Sequence, residues 1–184
     1  MAPNMTQPEA FAPVKLVCGV IAGDPSLYEL ARRLLVERHG PVDLESPAFG
    51  FDMTDYYDKE MGPGLTRRFM SFGRLIEPER LADIKVETNG LEERVRVESG
   101  KALRAVNLDP GYLTASALVM ATAKDFSHRI PLARGIYAHL EFLFTRTDVK
   151  VLDWTYPDMR RDGCKRFFLE VRAVYLGQLR ERRG

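Results

Sequence analysis

Histidine, cysteine and tryptophan are all scarce in this chain: three, two and one among 184 residues. Metal sites built on imidazole and thiolate need several such ligands at short spacing, and no HExxH or CxxC pattern is present, so no metal is assigned. His128, His139, Glu141 and Asp109 are the residues from which a metal site could in principle assemble, without a short ligand spacing to support it. Cys18 and Cys164 lie far apart, each inside an apolar pattern, and read as two buried, reduced thiols of a cytoplasmic protein. No run approaches the ~20 apolar residues that cross a bilayer. Residues 1–13 carry three prolines but neither a basic nor an apolar block, which makes them a loose leader rather than a signal peptide. Charge of one sign is lacking too. A formal net charge of +1 gives no global field toward nucleic acid or membrane. Glycine-rich phosphate loops (GxGxxG, GxxxxGK[ST]) and the GxSxG nucleophile elbow are also missing.

What remains is an ordinary globular composition, 45% hydrophobic and 29% charged, long enough for one buried core over residues 14–184. Val14 to Ala22 is almost wholly apolar and predicts a central strand. Asp24-Pro25 then opens a helix, with Leu27, Leu30, Ala31, Leu34 and Leu35 at helical spacing and Gly40-Pro41 as its stop. Strands are expected over 44–51, interrupted at Ser46-Pro47, and over 65–75. A second helix follows Glu77-Pro78, its stripe running through Leu81, Ile84, Thr88, Leu91 and Val95. Gly90 predicts a kink or a break there, near Lys85 and Asn89, which face either a ligand or solvent. Strands are expected over 103–108, 118–122, 126–132, 136–145 and 149–154, with Pro110-Gly111 as a rigid turn after the first of these. Asp162-Gly163 opens a last helix.

The order β-α-β-β-α-β predicts an α+β fold, a ferredoxin-like split βαβ sandwich. Its largely antiparallel sheet would carry helices on one face and be extended by C-terminal strands and a final helix.

Two polar clusters interrupt the apolar pattern of the second half. Asn107 and Asp109 are two apart, so they share a strand face. Asp109 reads as a metal ligand, a catalytic base or a ligand-orienting carboxylate with Asn107 as orienting group beside it, or alternatively as an Asx turn. Lys124, His128 and Arg129 form the second cluster, an anion site in which His128 is the acid–base candidate, or else an exposed hairpin. Asp52, Thr54, Tyr56 and Tyr57 form either the opposite wall of a pocket or a solvated acidic loop. Trp154 and Tyr156 suit stacking on a planar ring as well as core packing.

These segments carry a resemblance. NLDPGYL (107–113), the K-D-x-x-H-R-I run (124–130), GIYA (135–138) and WTYPD (154–158) resemble the bacterial and archaeal family described as domain of unknown function 4416. TDYY (54–57), EMG (60–62) and KVETN (85–89) join them, so the match spans about 14 to 180. Some members of that family are labelled GTP-binding. The resemblance implies that the polar clusters recur together, as a shared pocket requires, and supplies no reaction or cofactor. The expectation is a small-molecule-binding protein or enzyme with a pocket for an anionic, phosphorylated or nucleotide-like ligand. The alternative is a non-catalytic module docking on protein or RNA. Nucleic acid is disfavoured because the aromatic residues of the basic last helix fall on its apolar side. A homodimer through sheet edges or the final helix is compatible with either.

Overall fold

The computed structural model describes residues 9–54 and 56–182. Residues 1–8 of the expected leader, Asp55 of the acidic loop and Arg183 of the basic tail lie outside the described residues. The elements in order are β1 (Val14–Ala22), α1 (Pro25–His39), β2 (Val42–Glu45), β3 (Phe49–Gly50), α2 (Asp58–Met61) and β4 (Thr66–Ile76). There follow α3 (Leu81–Glu98), β5 (Val106–Leu113), β6 (Ala117–Thr122), β7 (Ile130–Ala133), β8 (Ile136–Phe144), β9 (Val149–Val151) and α4 (Asp162–Glu181). Local chemistry sets several boundaries. The Asp24 carboxylate caps α1 by accepting the Ser26 N–H at 2.6 Å, and Gly40 leaves the helix at φ 93°. The strand expected over 44–51 is two short pieces. At the break Ser46 takes over the edge of β4, with its N–H donating to the Phe69 carbonyl and its hydroxyl accepting the Phe69 N–H.

All pairings are antiparallel. The sheet runs β2-β4-β1-β5-β6-β8-β7, with β3 added to β4 and β9 to β8. β1 is central and buried along its whole length, so each of its faces needs cover. Leu16, Cys18, Val20 and Ala22 point to one side and pack under α1 (Ala31, Leu34, Leu35) and α3 (Ile84, Leu91, Val95). Val17 points to the other, where Phe69, Leu113, Leu118 and Phe142 pack against Phe167, Phe168 and Val171 of α4. The expectation of helices on one face is thereby corrected: α4 covers the face that α1 and α3 leave open. The same division separates Cys18 from Cys164. Both are free and buried, one in each core, and burial pushes both thiols well above their ordinary pKa.

Two further expectations are revised. There is no break at Gly90: α3 is one continuous helix through it, because Leu91 and Val95 anchor the helix beyond it in the core. Pro110-Gly111 is no turn: β5 passes straight through both residues and stays paired with β1 from Lys15↔Leu113 to Ala22↔Val106. The long register with β1 overrides the local turn preference. Gly111 is demanded by proximity, since a Cβ there would sit 2.5 Å from the Val119 carbonyl oxygen and from Met120 Sδ.

Candidate functional site

Pro110 nevertheless shapes the molecule. Alternate residues of a strand direct their N–H groups to the same side. The Leu108 N–H, the Pro110 nitrogen and the Tyr112 N–H therefore all point toward β6, and proline has nothing to donate. The β5–β6 ladder covers only Gly111↔Met120, Tyr112↔Val119 and Leu113↔Leu118. Beyond it β6 continues on β8 alone, and the sheet opens between residues 107–110 of β5 and the end of β6. Leu108 is fully buried in that opening, so its backbone groups need protein partners. α3 supplies the partners: Glu92 Oε1 accepts the Leu108 N–H at 2.8 Å, and Lys85 Nζ donates to the Leu108 carbonyl at 2.7 Å.

A cavity of about 510 Å³ fills the split. Asn107 and Asp109 of β5 form its floor with Arg67 of β4; Lys85, Asn89 and Glu92 of α3 and Arg104 form one side. The loop before α2 contributes Phe51, Thr54, Tyr56 and Tyr57, and Thr122, Lys124, Tyr156 and Asp158 close the remainder.

Arg67 organises the floor. It is 4% exposed, and its two terminal nitrogens reach Asp158 Oδ2 at 2.7 Å and Asp109 Oδ2 at 3.0 Å, beneath the Phe51 ring. Burial pulls its pKa down, but the two carboxylates outweigh this and the net shift is upward. Arg104 pairs with Glu92 and lies over the Tyr57 ring. Burial raises the pKa of Glu92 against the opposing pull of Lys85 and Arg104. The Tyr57 hydroxyl donates to Asn107 Oδ1 at 3.1 Å, and burial with the nearby Asp109 charge holds Tyr57 protonated. The same two causes push Tyr156 up to about 12. Asn107 is 3% exposed, and among the described residues its Nδ2 has no acceptor.

The expected site residues divide. Asn107, Asp109, Thr54, Tyr56, Tyr57, Lys124 and Tyr156 come together on this cavity. Lys124 Nζ lies 3.6 Å from the centroid of the exposed Tyr56 ring, at the mouth. Asp52, His128, Arg129 and Trp154 are outside the lining. Asp52 pairs with Arg161 on the surface. Arg129 donates to the Lys124 carbonyl at 2.7 Å and reaches the Tyr156 hydroxyl at 3.4 Å, bracing the wall from behind. His128 stacks on Trp154 and meets His139 edge to face. His139 in turn is bonded to the buried Glu141 at 2.9 Å. Burial, His139 and Arg129 lower the pKa of His128. Arg67, Glu92, Arg104 and Asp158 are the charged lining residues that pattern reading passed over. Arg67 precedes a second arginine, Arg68, at the start of β4, and nothing in the sequence marks which of the two turns inward. Among the described residues, no group of three or more His, Cys, Asp or Glu side chains is placed to hold a metal ion, and no helix is long and apolar enough to cross a membrane.

The family model described as Domain of unknown function (DUF4416) matches residues 12–175. The chain belongs to the DUF4416 family. No curated protein and no solved structure matches it. In this DUF4416 chain the four strings quoted above from the second half fall on β5, on the loop before β7, on the start of β8 and on the segment before α4. Three of them reach the cavity, through Asn107 and Asp109, Lys124, and Tyr156 and Asp158.

Proposed function

We propose that this DUF4416 protein binds a small, planar, anionic molecule in the split between β5 and β6. The observation that carries the reading is Asn107: a buried amide on the cavity floor whose Nδ2 has no protein acceptor among the described residues. Leaving such a donor unpaired costs about 1–3 kcal/mol, a cost that a ligand acceptor relieves. The Phe51, Tyr57 and Tyr156 rings suit a flat body, and Lys124 suits its negative charge. Asp109 orients the ligand and, if the protein is catalytic, is the carboxylate at hand for proton transfer. The concavity beside Asp109 supports a small-molecule site over a module that docks on protein or RNA. The strand order β2-β4-β1-β5, with α1 and α3 on one side, supports reading the first half as a ferredoxin-like split βαβ unit carrying the added strands β6 to β9.

The test is a thermal-shift screen of the whole chain against nucleotides, phosphorylated metabolites and divalent metals. A ligand at a hundred times its Kd adds about 2.7 kcal/mol, a rise of roughly 5–10 °C for a chain of this length. The rise is expected to vanish in Asn107→Leu. A panel that moves nothing, or a shift indifferent to Asn107, refutes the reading.

A further inference from the structure

We infer that the protein has a second ligand site, a basic pocket between α1, β4 and α3 that takes a phosphate dianion, either inorganic phosphate or the phosphate group of a small monoester. The pocket shares no residue with the cavity, so this site stands whatever the cavity binds.

Three elements build it. The last turn of α1 brings Arg38 and His39, the end of β4 brings Arg74, and α3 brings Glu87, with Arg80 just before its first residue. Ile76 and Ile84 form an apolar base. Leu16 of β1 also lines the pocket and lies five residues from Ile21, which pairs with Asn107 of the cavity floor. The two sites are therefore roughly 16 Å apart along that strand.

The pocket holds more positive charge than its own carboxylate can balance. Glu87 is the one acidic residue lining it among the described residues, and two arginines share it. Arg38 reaches Glu87 through two hydrogen bonds, at 2.6 and 3.0 Å, and Arg80 through one at 3.2 Å. Asp83, 3.8 Å from Arg80, leaves the balance unchanged because Arg134 claims it at 2.9 Å. Arg74 meets no carboxylate among the described residues. Three guanidiniums against one carboxylate leave two positive charges in excess. The C-terminal dipole of α1 offsets about half a charge, so most of the excess stands. His39 adds no charge near neutral pH, since burial, with Arg38 and Arg80, lowers its pKa against the pull of Glu87. Its Nε2 has no partner among the described residues and calls for an acceptor.

A compact dianion with several acceptor oxygens meets these demands. A phosphate monoester carries about −1.5 to −2 charges at neutral pH and three acceptor oxygens, which guanidinium forks match in pairs. The pocket measures about 230 Å³. That is below the roughly 300–1,000 Å³ of sites enclosing drug-sized ligands, and suits a phosphate with few further atoms.

Nuclear magnetic resonance titration of the full chain tests this, with the His39 ring protons, identified through His39→Gln, reporting on this pocket alone. Inorganic phosphate replaces sodium chloride at fixed pH and ionic strength, and the His39 signal is expected to move and saturate. Arg74→Ala should weaken binding about fivefold or more, between the values for exposed ion pairs and for charge-assisted hydrogen bonds. Lys124→Ala, at the cavity mouth, should titrate as the wild type does. Glycerol phosphate then separates the two sources: binding as tight or tighter assigns a monoester, and weaker binding assigns the free ion. A His39 signal that fails to saturate, or an Arg74→Ala affinity within about twofold of the wild type, overturns the site and leaves a solvated arginine cluster. Loss of the response in Lys124→Ala overturns it as well, because the phosphate would then be acting from the cavity.

Discussion

Replacing Arg67 by methionine separates the interior electrostatics of the site from its packing. Methionine approximates the length of the aliphatic stem and still fills the space beneath Phe51, but the charge and both hydrogen bonds are lost. The two carboxylates it leaves are unequal. The Asp158 side chain is 7% exposed and keeps little contact with water, whereas Asp109 is 23% exposed and rehydrates through the cavity. Removing one partner of a buried ion pair costs about 3–5 kcal/mol. Nearly all of that belongs to Asp158, which puts the expected loss at about 3 kcal/mol, the lower end of the range. At roughly 2–4 °C per kcal/mol for a chain of this size, the melting temperature should fall by about 6–12 °C. Urea denaturation should show the midpoint moving with an unchanged slope. The decisive comparison is Arg67→Met with Asp158→Asn added: removing the stranded charge should recover at least about half the loss. A loss below about 1 kcal/mol, or a double variant no more stable than the single, would refute the account of Arg67 as the counterion of a buried carboxylate.

Three other outcomes follow from the same geometry. Gly111→Ala presses a Cβ onto the Val119 carbonyl of the neighbouring strand and should cost about 2–3 kcal/mol; Gly90→Ala, with open space around it in a continuous helix, should gain about 0.5–1 kcal/mol. Urea midpoints moving the same way in both would contradict this. Lys85→Met removes the donor that satisfies the buried Leu108 carbonyl and should lower stability by about 2 kcal/mol; an unchanged melting curve would mean that water or another donor replaces it. Burial lowers the pKa of His39 below its ordinary 6.5, so the unfolded chain takes up that proton first. Its contribution is intact above pH 6.5 and is lost as pH falls through about 6.5 toward the folded value. The stability of His39→Gln between pH 7.5 and 5 should accordingly vary less than that of the wild type, and a steeper dependence would reverse the sign.

Much of the fold was legible in the sequence because it is encoded locally. The apolar run of β1, the Asp24 cap and Gly40 stop of α1, and the stripe Leu81, Ile84, Leu91, Val95 of α3 are one-dimensional signals, and the elements appear where those signals stand. Likewise the (i, i+2) spacing of Asn107 and Asp109 placed them on one face without any tertiary information. Three-dimensional contact decided the rest. Pro110-Gly111 has the composition of a turn, yet eight pairings with β1 hold it extended; the proline shows its effect on the other side, where its missing N–H ends the ladder with β6. Which face α4 covers was not readable from α4, whose apolar stripe fits either side of a sheet; the empty face beside Val17 and Phe69 chose it. Arg67 and Asp158 are 91 residues apart, and no local pattern marks two such residues as partners. Charge pairing, burial and cavity shape depend on distances that only folding creates, so the sequence determined the elements and half of the site's residues, and the packing of β4, β5 and α3 decided where the ligand's place would be.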